Sequence, residues 1–459
     1  MRSGDPLARD ADAGVSAGRS RRRMPGTITM RARRTWWCLV GLLGCSKGSE
    51  PTTTTTTAGH EGPEAQASSG DDTGDRGSTG AGTSAKTSSG GASPEDGTSG
   101  DEAPGDEAPG DTTRGGEVTG GGTSGGTSQG DEASEVGEPG VAFVGRHDAR
   151  DPSRVRYAWS GAGFRVRFRG TGVHATLDDA AVYHTVVVDG VVTETLQTSA
   201  GERRYTLAAD LPAGEHVVEL LRRTEASLGE TVVLGVEVDG ELLAPSVPTR
   251  RIEVVGDSIT CGYGNEGPDE SCPFSAETEN HYLTYAAIAA RAVGAELSTV
   301  AWSGKGVVYN YGDDKTDPLP ALYGRTLPSD PSSTWDGGAP ADVVVVNLGT
   351  NDFSTDDDPP QEVFVQGYLG LLANIRTYHP GAEIVATVAP LLEPADFQIA
   401  QQAIEAAIAE HVASGDVRVR WIDLNTPAVG RGCDWHPSRA THENMAALLV
   451  PELERALSR

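Results

Sequence analysis

Hydrophobic and polar residues follow two different patterns in the two parts of the chain beyond residue 140. From Val141 to about Pro248 they alternate in short segments, as in 164–168, where Phe, Val and Phe are separated by Arg. A period of two indicates strands with one buried face. Similar segments are 184–188, 204–208, 216–221 and 232–238, separated by Asp-Gly or Ala-Gly turns. We therefore predict a jelly-roll β-sandwich over residues 141–248.

From Arg251 onward, predicted strands alternate with predicted helices. The strands are expected at 251–256, 296–301, 343–348, 383–389 and 417–423, and the helices at 280–293, 361–378, 395–413 and 439–457. The four valines of 343–346 form the continuous apolar run of a strand that helices cover on both faces. This alternation predicts a five-stranded parallel sheet of flavodoxin-like shape, forming an α/β domain over residues 249–459.

The first 140 residues show neither pattern. Residues 46–140 are mostly Gly, Ser, Thr, Asp and Glu, with too few large apolar side chains to offset the entropy of ordering, so we predict a disordered acidic linker. Residues 1–45 end in a basic stretch and an apolar run, 36–43, that is much shorter than the roughly 20 residues of a membrane-spanning helix. This arrangement indicates a signal peptide and export from the cytoplasm.

The apolar run ends in Leu42-Leu43-Gly44-Cys45, which resembles the bacterial lipobox, in which the cysteine is acylated. Lipidation of Cys45 would anchor the protein to the cell envelope, with the membrane touched only through that anchor. A cleaved signal with a chance cysteine, and hence a secreted protein, is the alternative.

Charge and cysteine content narrow the choice of partners and compartment. The formal net charge is -29 at pH 7, and both the linker and the part that follows it are acidic, which disfavours binding to nucleic acid. Beyond the signal peptide the cysteines are Cys261, Cys272 and Cys433. In an oxidising compartment the simplest expectation is one disulfide and one free thiol, and spacing alone does not choose the pair.

Polar, glycine-marked segments follow the first three predicted strands of the α/β domain or precede its last helix. They are Gly256-Asp257-Ser258, Ser303-Gly304-Lys305, Gly349-Thr350-Asn351-Asp352 and Cys433-Asp434-Trp435-His436-Pro437. Ligands of an open parallel sheet bind beyond the carboxyl ends of its strands, so we expect the four segments to meet there.

These segments contain the groups that acyl transfer requires. Ser258 can act as nucleophile if His436 removes its proton. The backbone N–H groups of Ser258 and Gly304 and the side-chain amide of Asn351 can stabilise an oxyanion. Each residue alone also has an ordinary explanation, as a turn, a helix cap or a surface loop. Their occurrence in this order at successive strand ends favours a catalytic site.

The four segments resemble the sequence blocks of SGNH, or GDSL-type, hydrolases. The longer strings 252–265 and 159–170 resemble carbohydrate esterase family 2, whose members join a jelly roll to an SGNH domain and remove acetyl groups from xylan, glucomannan and related glycans. The resemblance covers about residues 141–459. It implies the catalytic roles given above, an acetylated polysaccharide or oligosaccharide as substrate, and no metal or other cofactor.

One position departs from the SGNH pattern. The acid of the catalytic triad usually lies three residues before the histidine, where this chain has Cys433, and Asp434 lies two before. Either the Asp434 carboxylate orients His436, or a backbone carbonyl does so in a Ser-His dyad, as in members of the esterase family.

Other residues near these segments have less specific interpretations. Trp302 and Trp435 could stack on a sugar ring or could simply pack against the protein. We expect Asp257 and Asp352 to brace loops, and His442 to form local hydrogen bonds.

The leading hypothesis from the sequence is a carbohydrate O-acetyl esterase. The alternatives are a general short-chain esterase or lipase of the SGNH type, and a surface protein that binds carbohydrate without turnover. The intact set of Ser258, Asn351 and His436 argues against the last alternative.

Overall fold

A computed structural model describes residues 140–355 and 357–459. The predicted signal peptide with Cys45, and the linker through residue 139, lie outside the described residues. No helix in the described part of the chain has the length and apolar character needed to cross a membrane.

An antiparallel β-domain comes first. Its strands are β1 (Val141–Val144), β2 (Val155–Tyr157), β3 (Gly163–Asp179), β4 (Tyr183–Val188), β5 (Val191–Gln197), β6 (Gly201–Ala208), β7 (Gly214–Arg222) and β8 (Thr231–Leu243). The first half of β3 pairs with β1 and β7, its second half pairs with β6, and β8 pairs along both halves. Because β3 changes partners at a bulge after Gly170, its two halves cover one core, where Trp159, Phe164 and Phe168 are fully buried.

The parallel sheet of the second domain has five strands: β9 (Arg251–Gly256), β10 (Glu296–Ala301), β11 (Val343–Asn347), β12 (Glu383–Thr387) and β13 (Val419–Trp421). Their order is β10-β9-β11-β12-β13, which is the flavodoxin-like order. The helices are α1 (Ser258–Cys261), α2 (Tyr285–Ala292), α3 (Leu319–Leu322), α4 (Gln361–Tyr378), α5 (Pro394–Ala413) and α6 (Arg439–Leu457). The predicted fold class, a flavodoxin-like α/β domain after an antiparallel β-domain, is confirmed.

Buried polar groups join the two domains. Arg146, just after β1, forms an ion pair at 3.0 Å with Glu253 of β9, and both side chains are almost fully buried. The same carboxylate accepts hydrogen bonds from Tyr323 Oη at 2.6 Å and from His379 Nε2 at 3.1 Å. The Arg146 guanidinium stacks over the Trp335 ring at 3.7 Å, so the cation has an aromatic partner as well as an anionic one. This network joins the β-domain to β9, an interior strand of the parallel sheet.

Candidate active site

Ser258 is the first residue of α1 and follows the end of β9 after a single residue. That intervening residue, Asp257, caps the helix: its carboxylate accepts the backbone N–H of Ile259 at 3.0 Å. A Cβ atom on Gly256 would lie 2.0 Å from the Thr260 hydroxyl oxygen, so only glycine permits the tight turn from strand to helix. The turn places the Ser258 hydroxyl at the carboxyl edge of the sheet.

His436 lies beside this hydroxyl. Its Nε2 atom is 2.8 Å from Ser258 Oγ, although the two residues are 178 positions apart in the sequence. Burial lowers the pKa of the His436 imidazole to about 4. The ring is therefore neutral near pH 7 and can accept the proton of the serine hydroxyl.

The other ring nitrogen of His436 faces a backbone carbonyl. Nδ1 lies 3.0 Å from the carbonyl oxygen of Asp434, which fixes the tautomer with the proton on Nδ1 and leaves Nε2 as the acceptor. Asp434 and Trp435 have positive φ angles of 48° and 65°, and this unusual pair of conformations turns the carbonyl back toward the ring.

The carboxylate of Asp434 has different partners. It accepts hydrogen bonds from Tyr263 Oη at 2.7 Å and from the backbone N–H of Phe274 at 2.9 Å, whereas the imidazole of His436 is hydrogen-bonded to the Asp434 carbonyl instead. Of the two possibilities that the sequence left open, the geometry corresponds to a Ser-His dyad oriented by a carbonyl. A residue two before the histidine points its side chain away because its own backbone occupies the position beside Nδ1.

The histidine loop is held from several sides. Cys433, at the usual position of the triad acid, forms a disulfide with Cys272, and Cys261 is a free, buried thiol. The Tyr263 ring stacks on the His436 ring with centroids 4.2 Å apart. The disulfide and the stacked ring both restrain the segment that carries the base.

The candidate oxyanion donors lie on neighbouring loops. The amide nitrogen of Asn351 donates to the Lys305 carbonyl at 2.9 Å and lies 3.4 Å from an Asp257 oxygen, so it bridges the segments that contain Gly304 and Ser258. Gly304 has a φ of +78° in a turn closed by the bond from Lys305 N–H to the Trp302 carbonyl. A positive φ at this turn position favours glycine.

Asp352 supports the loop that carries Gly304. Its carboxylate accepts the backbone N–H groups of Val307, Val308 and Tyr309 at 2.8–2.9 Å. Burial raises the pKa of Asp352 to about 6 and that of Asp257 to about 7. The backbone N–H groups that these carboxylates accept show that both side chains brace loops, as the sequence suggested. Asp352 does so for a loop 43–45 residues away in sequence.

The remaining sequence candidates have mixed surroundings. Trp302 is partly buried and packs against Ala158, Ala226 and Leu327, which favours a packing role. Trp435 is partly buried and its carbonyl accepts a hydrogen bond from Arg431 at 3.0 Å, and its contact with a sugar stays a prediction. His442 is buried and its Nδ1 accepts the Tyr285 N–H at 3.2 Å, so its hydrogen bond joins α6 to α2, 157 residues away in sequence, rather than being local as expected.

One contact was not anticipated from the sequence. Glu225, from the β-domain, accepts the backbone N–H of Ser303 at 2.8 Å, directly beside Gly304. The thiol of Cys261 and a carboxylate oxygen of Glu279 lie within 4.8 Å of the Glu225 carboxylate, a donor set that could hold a metal ion. No local sequence pattern around Glu225 predicts these contacts, because the contacting residues come from three separate parts of the chain.

The doubly wound sheet, the serine at the end of its first strand and the histidine before its last helix define a serine ester hydrolase of the SGNH type. Consistently, residues 254–444 match the GDSL-like Lipase/Acylhydrolase family, and residues 143–246 match the Carbohydrate esterase 2 N-terminal family. The structure of a family two carbohydrate esterase from Clostridium thermocellum in complex with cellohexaose is 36% identical, with a TM-score of 0.67, and the alignment covers 70% of this chain and 99% of that one. The chain belongs to carbohydrate esterase family 2.

Two similar proteins carry names that describe an activity. Cellulase/esterase CelE of Acetivibrio thermocellus is 37% identical over 325 residues, which are 70% of this chain but only 40% of that protein. An acetylxylan esterase / glucomannan deacetylase of Cellvibrio japonicus is 26% identical over 330 residues, 70% of this chain and 90% of that protein. The chain thus spans less than half the length of CelE and most of the length of the Cellvibrio enzyme.

Proposed function

We propose that the protein is a carbohydrate O-acetyl esterase that acts on xylan, glucomannan or a related glycan. The observation that carries the proposal is the 2.8 Å contact between Ser258 Oγ and a neutral His436, whose other nitrogen is fixed by a carbonyl. Family membership and the name of the Cellvibrio relative support an acetylated glycan as the substrate.

The geometry suggests a two-step reaction. Ser258 Oγ attacks the acetyl carbonyl carbon as its proton moves to His436 Nε2, and the N–H groups of Ser258, Gly304 and Asn351 stabilise the oxyanion. Collapse breaks the ester bond, and the departing sugar hydroxyl takes the proton from His436. Water then attacks the acetyl-serine with the same histidine as base, which releases acetate and restores Ser258.

Acetate release by the wild type and by Ser258→Ala tests the proposal, with an aryl acetate and acetylated xylan as substrates. We expect turnover of both by the wild type and a loss of at least about 10³-fold in the variant. Full activity in the variant would show that Ser258 is not the nucleophile. A series of aryl esters with longer acyl chains separates an acetyl esterase, whose rate should fall steeply with chain length, from a general esterase or lipase.

Carbohydrate binding without turnover is the second candidate function. The relative from Clostridium thermocellum was observed with cellohexaose, an unacetylated glucan, which favours glucan binding by this family member too. If the ligand occupies the catalytic site, cellohexaose should inhibit aryl acetate hydrolysis competitively. Cellohexaose binding without any acetate release from either substrate would favour a binding protein.

We further propose that the mature protein is extracytoplasmic and is anchored to the bacterial envelope through a lipid on Cys45. The lipobox-like sequence supports this placement, and so does the Cys272–Cys433 disulfide, since disulfides persist in oxidising compartments. Metabolic labelling with a radioactive fatty acid should mark the wild type and not Cys45→Ala. Equal labelling of the two proteins, or none of the wild type, would contradict the anchor.

A further inference from the structure

Glu225 is a β-domain residue whose carboxylate accepts a hydrogen bond from a loop of the candidate active site. It follows β7, and the buried guanidinium of Arg222 donates to the carbonyls of Thr224 and Glu225 at 3.0 and 3.1 Å. These bonds fix the Glu225 backbone within the β-domain. Glu225 is 4% exposed, so its carboxylate is directed into the other domain rather than into solvent.

The carboxylate contacts two parts of the active site. Its Oε2 atom accepts the backbone N–H of Ser303 at 2.8 Å, and the thiol of Cys261 donates to the same atom at 3.7 Å. Ser303 precedes Gly304, a candidate oxyanion donor, and Cys261 ends the four-residue helix that begins with Ser258. One oxygen atom therefore joins the oxyanion loop, which is the segment containing Ser303 and Gly304, to helix α1, which begins with Ser258.

The surroundings of these contacts exclude water. The Cys261 side chain is fully buried, and its thiol faces the Glu225 carboxylate. Glu279 is fully buried as well, and its Oε2 atom accepts the backbone N–H of Glu225 at 3.0 Å. Hydrogen bonds to a buried carboxylate are stronger than those between neutral groups.

We propose that Glu225 is a positioning residue for catalysis. Through this side chain the β-domain fixes the Gly304 loop relative to the helix that begins with Ser258. The proposal rests on the proposed esterase function. Because the peptide N–H of Ser303 is fixed by Glu225, the next N–H, that of Gly304, keeps one direction as negative charge develops on the substrate. Loss of that direction weakens binding of the transition state more than binding of the ester.

Three variants test the proposal in aryl acetate hydrolysis, with rates divided by the concentration of active sites titrated with a serine-reactive phosphonate. We expect Glu225→Ala to lower kcat by about 10- to 100-fold with KM changed less than about threefold. Glu225→Gln, whose amide oxygen can still accept the Ser303 N–H, should recover most of that loss. Glu225→Asp, which is shorter by one methylene, should resemble the alanine variant.

Glu230→Ala is the matched control, because Glu230 is another β-domain carboxylate whose partner, Arg156, lies in the same domain. We expect it to keep the wild-type kcat. A kcat for titrated Glu225→Ala equal to that of the wild type would overturn the proposal, even if its melting temperature were lower. If the alanine variant does not fold, equal kcat values for the Gln and Asp variants would overturn it instead. An inactive wild type would contradict the esterase function itself.

Discussion

The orientation of His436 by a carbonyl makes a sharp prediction for Asp434→Asn. In a true triad, replacing the acid by its amide costs about 10⁴-fold in kcat. Here the group that faces His436 Nδ1 is the backbone oxygen of residue 434, at 3.0 Å, and the substitution leaves it in place. Asparagine also tolerates the positive φ of 48°, whereas alanine would add backbone strain. We therefore expect kcat to fall less than about 10-fold.

The same substitution should affect stability more visibly. The carboxylate accepts hydrogen bonds from Tyr263 Oη and Phe274 N–H, and a bond to a charged group contributes about 1.5–3 kcal/mol. Since the amide oxygen can still accept one of them, we expect the free energy of unfolding in urea to fall by about 1–3 kcal/mol. Tyr263→Phe is the companion variant, because it removes one of these donors and keeps the ring that stacks on His436.

The assay is aryl acetate hydrolysis per titrated active site, measured beside urea unfolding of the same preparations. A kcat reduced by about 10³-fold or more in Asp434→Asn, with an unchanged free energy of unfolding, would refute the dyad interpretation. It would mean that the carboxylate reaches the imidazole during the reaction.

Three further predictions concern the base, the disulfide and the domain interface. Because burial lowers the pKa of His436 to about 4, the imidazole stays neutral as pH falls, and the acid limb of kcat/KM should lie below pH 6.5; a limb at or above 6.5 contradicts this. Replacing both Cys272 and Cys433 by serine opens a link across 161 residues, and thermal denaturation should show a loss of about 2–5 kcal/mol rather than none. Arg146→Met should cost about 3–5 kcal/mol in urea unfolding by leaving Glu253 buried without its cation, and adding Glu253→Gln should recover part of it; an unchanged midpoint for the single variant would contradict this.

The parallel sheet could be predicted from the sequence because its signals are local. The four valines of 343–346 are all fully buried in β11, and α4 has the predicted bounds, Gln361–Tyr378. The strand ends then indicate where Ser258 and His436 meet, since parallel strands share one carboxyl edge. Helix α2 begins later than expected, at Tyr285, because Thr284 accepts the Ala287 N–H and caps it there.

The β-domain was harder to predict because a glycine in it marks either a turn or a close approach of two strands. The alternating segment predicted in this region ended at Phe168, whereas β3 continues through Gly170 to Asp179. A Cβ on Gly170 would lie 2.3 Å from the Asp239 carbonyl, so this glycine permits close approach of β8 rather than a turn. Strand β5 was missed because five of its first six residues are exposed and it lacks a clear alternation.

The orientation of the active-site groups depends on contacts between distant residues, which no local pattern encodes. The partner of Cys433 is 161 residues away, and the positive φ angles of Asp434 and Trp435 do not follow from their residue types. Glu225 belongs to a different domain from the loop that it holds. The sequence predicts which groups react, whereas their alignment is a tertiary property.

The buried ion pair at the domain interface fixes how the two domains join more than it adds to their stability. A buried ion pair such as Arg146–Glu253 gains little over an apolar pair of similar volume, yet either partner alone carries a large desolvation cost. Each domain therefore needs the other to satisfy its buried charge, and Glu225 adds a second such dependence beside Gly304. Because the same interface satisfies these charges and fixes the oxyanion loop, a change that loosens the domains should reduce turnover before it unfolds either of them.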